Sequence, residues 1–84
     1  MLYARCIVDE GLHRTLSSVS IQDCFGRNVH VSVSKDCIKD GRLCPVTPIR
    51  WDNDSGQVLV ELPNESDAGD KRIWVFQSGV VSGI

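Results

Sequence analysis

Asn28-Val29-His30-Val31-Ser32-Val33-Ser34 puts three valines on one side of an extended chain and Asn, His and two serines on the other. A period of two belongs to a β-strand with one face buried, because successive side chains of a strand point to opposite faces. The stretch therefore predicts a strand over 28–34 with Val29, Val31 and Val33 in a core. Phe25-Gly26-Arg27-Asn28 supplies turn residues just before it, and 18–23 reads as the preceding strand, so 21–33 forms a β-hairpin. A second hairpin is read at 49–62, where Asp52-Asn53-Asp54-Ser55-Gly56 is the turn and Val58, Val60 and Leu62 oppose Gln57 and Glu61.

The rest of the chain follows the same grammar. Eleven Val and six Ile against six Leu, two Ala and one Met make a strong β bias, since branched side chains pack well on a pleat and lose freedom in a helix. Further strands are expected at 2–8, 46–51 and 72–76, giving six in all. Leu16 is out of phase with Val19 and Ile21, and a bulge at Ser17-Ser18 would restore the phase. Ser34 can cap one short helical turn over the residues that follow it. No segment predicts a long amphipathic helix.

The 84 residues bound a single domain, 1–84, with one modest core. Five or six short antiparallel strands bury one face each with the fewest open edges when the sheet curls or closes. The expected fold is all-β, first an SH3-like β-barrel and otherwise an open curled sheet or small sandwich. No family motif accompanies that outline, and fold alone assigns no function.

Composition narrows the function classes. The net charge of −2 gives no general attraction to phosphate or anionic lipid, although residues 1–50 carry seven cations against five acids and residues 51–84 carry two against six. No apolar run approaches the roughly 20 residues of a membrane helix, and Met1-Leu2-Tyr3-Ala4-Arg5 does not begin a secretory leader. The expectation is a cytoplasmic protein without membrane association, whose Cys6, Cys24, Cys37 and Cys44 are reduced.

A few side chains carry candidate chemistry. Cys37 and Cys44 with His30 and His13 offer zinc-type ligands, but no two cysteines have the two- to four-residue spacing that one tight turn needs. Asp52 and Asp54 resemble the start of a calcium loop, yet the glycine falls one place early and the closing glutamate is missing. His13 or His30 could act as a base oriented by Asp9, Glu10 or Asp23, but nothing indicates a pocket. The chain is accordingly read as no enzyme, with no metal and no cofactor.

The segment 62–72 is a polar loop longer than a hairpin needs, and it leads into Ile73-Trp74-Val75-Phe76. If Ile73 and Val75 face inward, Trp74 and Phe76 face out beside Arg72, an anchor chemistry common at protein interfaces; the alternation equally allows Trp74 and Phe76 to be the core pair, or both faces to be buried in a closed barrel. The expected function is a noncatalytic module binding protein or peptide through Trp51, Arg72, Trp74 and Phe76, with Glu65, Asp67 and Asp70 at the rim. The alternatives are a nucleic-acid-binding barrel using Arg14, Arg27, Lys35 and Lys39, or an assembly protein pairing through a sheet edge.

Overall fold

The valine alternation folds as its period dictates. In the computed structural model, which describes residues 2–9 and 14–82, strands β3 (Leu16–Gln22) and β4 (Asn28–Ser34) form an antiparallel hairpin. Val29, Val31 and Val33 are buried, while Asn28, His30 and Ser32 are exposed. The expected bulge at Ser17-Ser18 does not form: register runs unbroken from Leu16 opposite Ser34 to Gln22 opposite Asn28. Ser17 takes the inward position in phase with Val19 and Ile21, and Leu16 is left exposed. A serine is small enough to fill that place.

The first expected strand divides at Cys6. Strand β1 (Leu2–Arg5) joins the larger sheet, and β2 (Ile7–Asp9) pairs with β3 to complete a three-stranded sheet of order β2-β3-β4. After β4 comes the anticipated helical turn, a 3-10 turn over Lys35–Cys37, where Ser34 Oγ accepts the Asp36 N–H at 3.3 Å. A short strand β5 (Ile38–Lys39) then pairs with the start of β6 (Arg42–Asp52). Asp40 and Gly41 between them have φ of 54° and 75°. Positive φ at both central residues is what the type I′ hairpin turn demands, and Asp is among the few residues besides Gly that tolerate it.

Strand β6 has eleven residues and changes partner along its length, pairing first with β1 and then with β7 (Gln57–Glu61). Its ladder is irregular opposite the Leu2/Ala4 step, where Cys44 and Pro45 intervene, and again between Pro48 and Arg50. Proline has no N–H for a ladder bond, so bulges beside prolines are the expected accommodation. β8 (Arg72–Phe76) pairs with β7, and a second 3-10 turn, Gln77–Gly79, leads to β9 (Val80–Ser82), which pairs with β1.

The larger sheet thus runs β8-β7-β6-β1-β9, with β5 attached to β6. The domain is all-β and antiparallel, but the expected closed barrel is not observed, because β8 and β9 are terminal strands of an open sheet. One core lies between the two sheets: Val19, Ile21, Val29, Val31 and Val33 meet Leu2, Ala4, Leu43, Val46, Val58, Val60, Ile73 and Val75. Each strand contributes alternate residues, as half-buried sheets do. Among the described residues no helix is long and apolar enough to cross a membrane.

Candidate binding surface

Register decides which of the expected site residues share a face, because directly opposed residues in an antiparallel pair lie on the same side. Val58 opposite Val75 and Val60 opposite Ile73 are the buried pairs of β7 and β8. The intervening pairs, Gln57 with Phe76, Leu59 with Trp74 and Glu61 with Arg72, face outward, which decides between the two registers the sequence left open. Trp74 is half-buried beside Leu59, whereas Phe76 is 50% exposed.

Trp51 does not join them. The bulge after Pro48 leaves Trp51 opposite Val58, on the core side of the sheet, while its neighbour Arg50 faces outward opposite Leu59. Trp51 is still 49% exposed and borders a shallow depression with Leu2, Val46 and Pro48. The four residues expected to form one surface are therefore divided between two faces.

The acidic loop also lies elsewhere. Leu62 N–H donates to Lys71 O at 2.8 Å and closes the loop, and the buried Ser66 fixes its interior. Ser66 Oγ accepts the Asp70 N–H at 2.8 Å, and Ser66 O accepts the Gly69 N–H at 2.9 Å. Asp67 N–H then donates to His30 O at 2.8 Å, and the Asn64 side-chain amide donates to Ser32 O at 2.9 Å. The loop covers the outer edge of β4. Glu65 and Asp67 are exposed there and Asp70 is half-buried, near Arg72 but at the opposite end of β8 from Phe76.

Phe76 belongs instead to a groove. The carbonyl of Trp74, on the outer edge of β8, accepts the Cys24 N–H at 2.9 Å, and beside this junction the two sheets leave a cleft of about 340 Å³. Val75 and Phe76 line one wall, Ile21 and Gln22 of β3 the other, and Arg5, Cys6 and Ile7 the floor where the chain crosses between sheets. Ile7 is 74% exposed. Gln77 N–H donates to Gly56 O and Lys71 O accepts from Leu62, so by alternation the backbone groups of Arg72, Trp74 and Phe76 point away from β7. Only the Trp74 carbonyl has a backbone partner there among the described residues.

Two anchors hold the groove's walls. Gln77 Nε2 donates to Asp52 O, Asn53 Oδ1 and Gln57 O at 3.3, 3.1 and 3.0 Å, which ties the corner after Phe76 to the β6-β7 turn. Asp52 Oδ1 accepts the Asp54 N–H, so the supposed calcium residues serve that turn. At the other wall Asp23, only 2% exposed, accepts the N–H groups of Phe25 and Arg27 at 3.0 and 2.8 Å and the Arg27 Nε–H at 2.8 Å. Burial pushes the carboxyl pKa up, but these hydrogen bonds and the Arg27 charge outweigh it and hold the group below the usual carboxylate range.

Burial raises the Cys6 thiol above its ordinary value despite a backbone hydrogen bond from Leu43, so it stays protonated and weakly nucleophilic at neutral pH. All four cysteines are free thiols, and Cys44 is buried in the core. Among the described residues no three His, Cys, Asp or Glu side chains gather as metal ligands; His13 and Glu10 lie outside the described residues. Of the cations assigned to the nucleic-acid alternative, Arg27 is bound to Asp23 at one end of the β3-β4 hairpin, while Arg14 and Lys35 flank the other end, roughly 20 Å away by strand rise.

Sequence reasoning missed Ile7, Cys6, Gln77 and the edge-covering role of 62–71. Ile7 had a signal: Leu2, Ala4, Cys6 and Val8 share one phase, which leaves an isoleucine in the exposed phase with Tyr3 and Arg5. No known protein family, curated protein or solved structure matches this chain.

Proposed function

We propose that the chain is a noncatalytic module that binds an extended segment of a protein partner in the groove beside Phe76. One observation carries the reading: two exposed apolar side chains, Phe76 and Ile7, border a cleft beside strand-edge backbone groups that have no partner of their own among the described residues. Strand addition at such an edge gains affinity from backbone hydrogen bonds and specificity from alternate side chains entering pockets. Arg72 and Trp74 continue the same strand and extend the surface along it.

For the fold we propose an SH3-like barrel left open between β8 and β9. The larger sheet supports it, since its terminal strands β8 and β9 are joined by the single turn Gln77–Gly79 and β9 returns to pair with β1. We also propose a cytoplasmic setting, which four unpaired cysteines support.

Selection from a random peptide library displayed on phage tests the binding function. Enriched peptides are expected to bind Phe76→Ser and Ile7→Ser at least about tenfold more weakly, as loss of a buried apolar anchor implies. Undiminished binding to both variants, or no enrichment on the native protein, would overturn the proposal.

A further inference from the structure

Three cations stand in one row across the larger sheet. Arg5 on β1 is opposite Arg42 on β6, and Arg42 is opposite Lys39 on β5. All three are exposed. Directly opposed residues bring their Cβ atoms to about 4.5–5.5 Å, where like charges repel and weaken the sheet. A surface built only for solubility would intersperse the signs.

No ion pair among the described residues engages the row. The one ion pair among the described residues is Arg27 with Asp23, in the turn between β3 and β4. Asp40, in the turn between Lys39 and Arg42, is exposed and pairs with neither. Arg5 also lines the groove, so the row begins at the groove's floor and leads outward from it.

We infer that the groove's occupant is an acidic peptide segment. Its apolar side chain seats between Phe76 and Ile7, and its flanking carboxylates lie across Arg5, Arg42 and Lys39. The inference rests on the groove reading above and adds the charge of the partner. Complementary charge steers encounter and selects the partner, and the repulsion stored in the row is released when carboxylates arrive.

Fluorescence anisotropy with three labelled probes tests it: a short peptide with central Ile-Leu-Ile flanked by glutamates, its twin flanked by glutamines, and an oligodeoxythymidine of matching length. The glutamate peptide is expected to bind about tenfold more tightly than its twin, with the advantage shrinking as salt rises. Arg42→Glu should erase the advantage, leave the glutamine peptide's affinity unchanged and raise the thermal midpoint, because it converts two repulsive pairs into attractive ones. The rise in midpoint separates lost recognition from lost folding.

Equal binding of the two peptides, no binding of the glutamate peptide, or an advantage that survives Arg42→Glu would overturn the inference. Tighter binding of the oligodeoxythymidine would also overturn it and assign the row to nucleic acid. Glutamate-peptide binding that is indifferent to Phe76→Ser but lost in Arg42→Glu would sink the groove reading and leave the basic row standing.

Discussion

The outer edges of β4 and β8 receive opposite treatment. β4 has its outward carbonyls at His30 and Ser32 taken by Asp67 and Asn64 of the 62–71 loop. β8 has the Trp74 carbonyl taken by Cys24 and then opens at Phe76, beside the groove. An uncovered edge is a template for another strand, and proteins usually blunt it with charge, bulges or covering loops. The longest polar loop of this chain is spent on one edge while an apolar side chain stands at the other. Exposure at Phe76 is thus local to that edge, which is why the groove carries the functional reading.

The junction between the two behaviours hangs on Asp23, and removing it is the largest perturbation expected. Its carboxylate organises the turn that delivers the Cys24 N–H to β8. Asp23→Ala should cost about 2–3 kcal/mol in urea unfolding: hydrogen bonds to a buried charge are lost, while the 63% exposed Arg27 side chain simply rehydrates. Alkylation of Cys24 should accelerate as the turn loosens. A loss under about 0.5 kcal/mol would remove Asp23 as the junction.

Acid should act on the same group. Because the folded-state pKa lies below the unfolded value of about 3.9, the unfolded chain binds the proton first. The stabilisation is complete above the unfolded pKa and is lost as pH falls through the folded one. Thermal midpoints should therefore drop below about pH 4, and Asp23→Asn should flatten that limb. An acid limb that is unchanged in the variant would assign it to other carboxylates.

The covered edge is tested next. Ser66 is buried and holds the loop in shape through the Asp70 N–H, so Ser66→Ala should cost about 1–2 kcal/mol by leaving that donor without its acceptor. The consequence of interest is at β4: the Asp67 amide should exchange faster with deuterium, and sedimentation should reveal concentration-dependent dimers pairing through the freed edge. Protection at Asp67 equal to the native protein's would mean that the loop does not depend on Ser66.

These contrasts also mark what the sequence could disclose. Local alternation revealed β4 and β7 with their faces and the extent of β8 without its faces, and Ser34 revealed its own turn, because each depends on neighbours within a few residues. The split at Cys6 depends on which sheet each half meets, a long-range matter that alternation does not carry. Trp51 was misplaced for a related reason: a bulge beside Pro48 returns it to the core side, and a one-residue shift changes the face of everything after it. The loop read as a recognition element because its composition is polar, but its work is done by backbone and amide hydrogen bonds to carbonyls more than 30 residues away. Of the expected site, Arg72, Trp74 and Phe76 do share an exposed strand face.

The smallest expected effect on stability bears most directly on the open edge. Phe76→Lys puts on β8 the kind of charge that commonly guards edge strands. Phe76 is half exposed, and the stem of a lysine can lie along the same apolar wall while its ammonium reaches water, so unfolding free energy should change by no more than about 0.5 kcal/mol. Binding in the groove should nevertheless weaken, because the aromatic ring against which the partner's apolar side chain seats is gone. If the native protein self-associates through β8, sedimentation of Phe76→Lys should show monomer at concentrations where the native chain is dimeric. A variant that is destabilised by 2 kcal/mol or more would instead show Phe76 to be a packing residue, and the contrast between the covered and the open edge would lose its functional meaning.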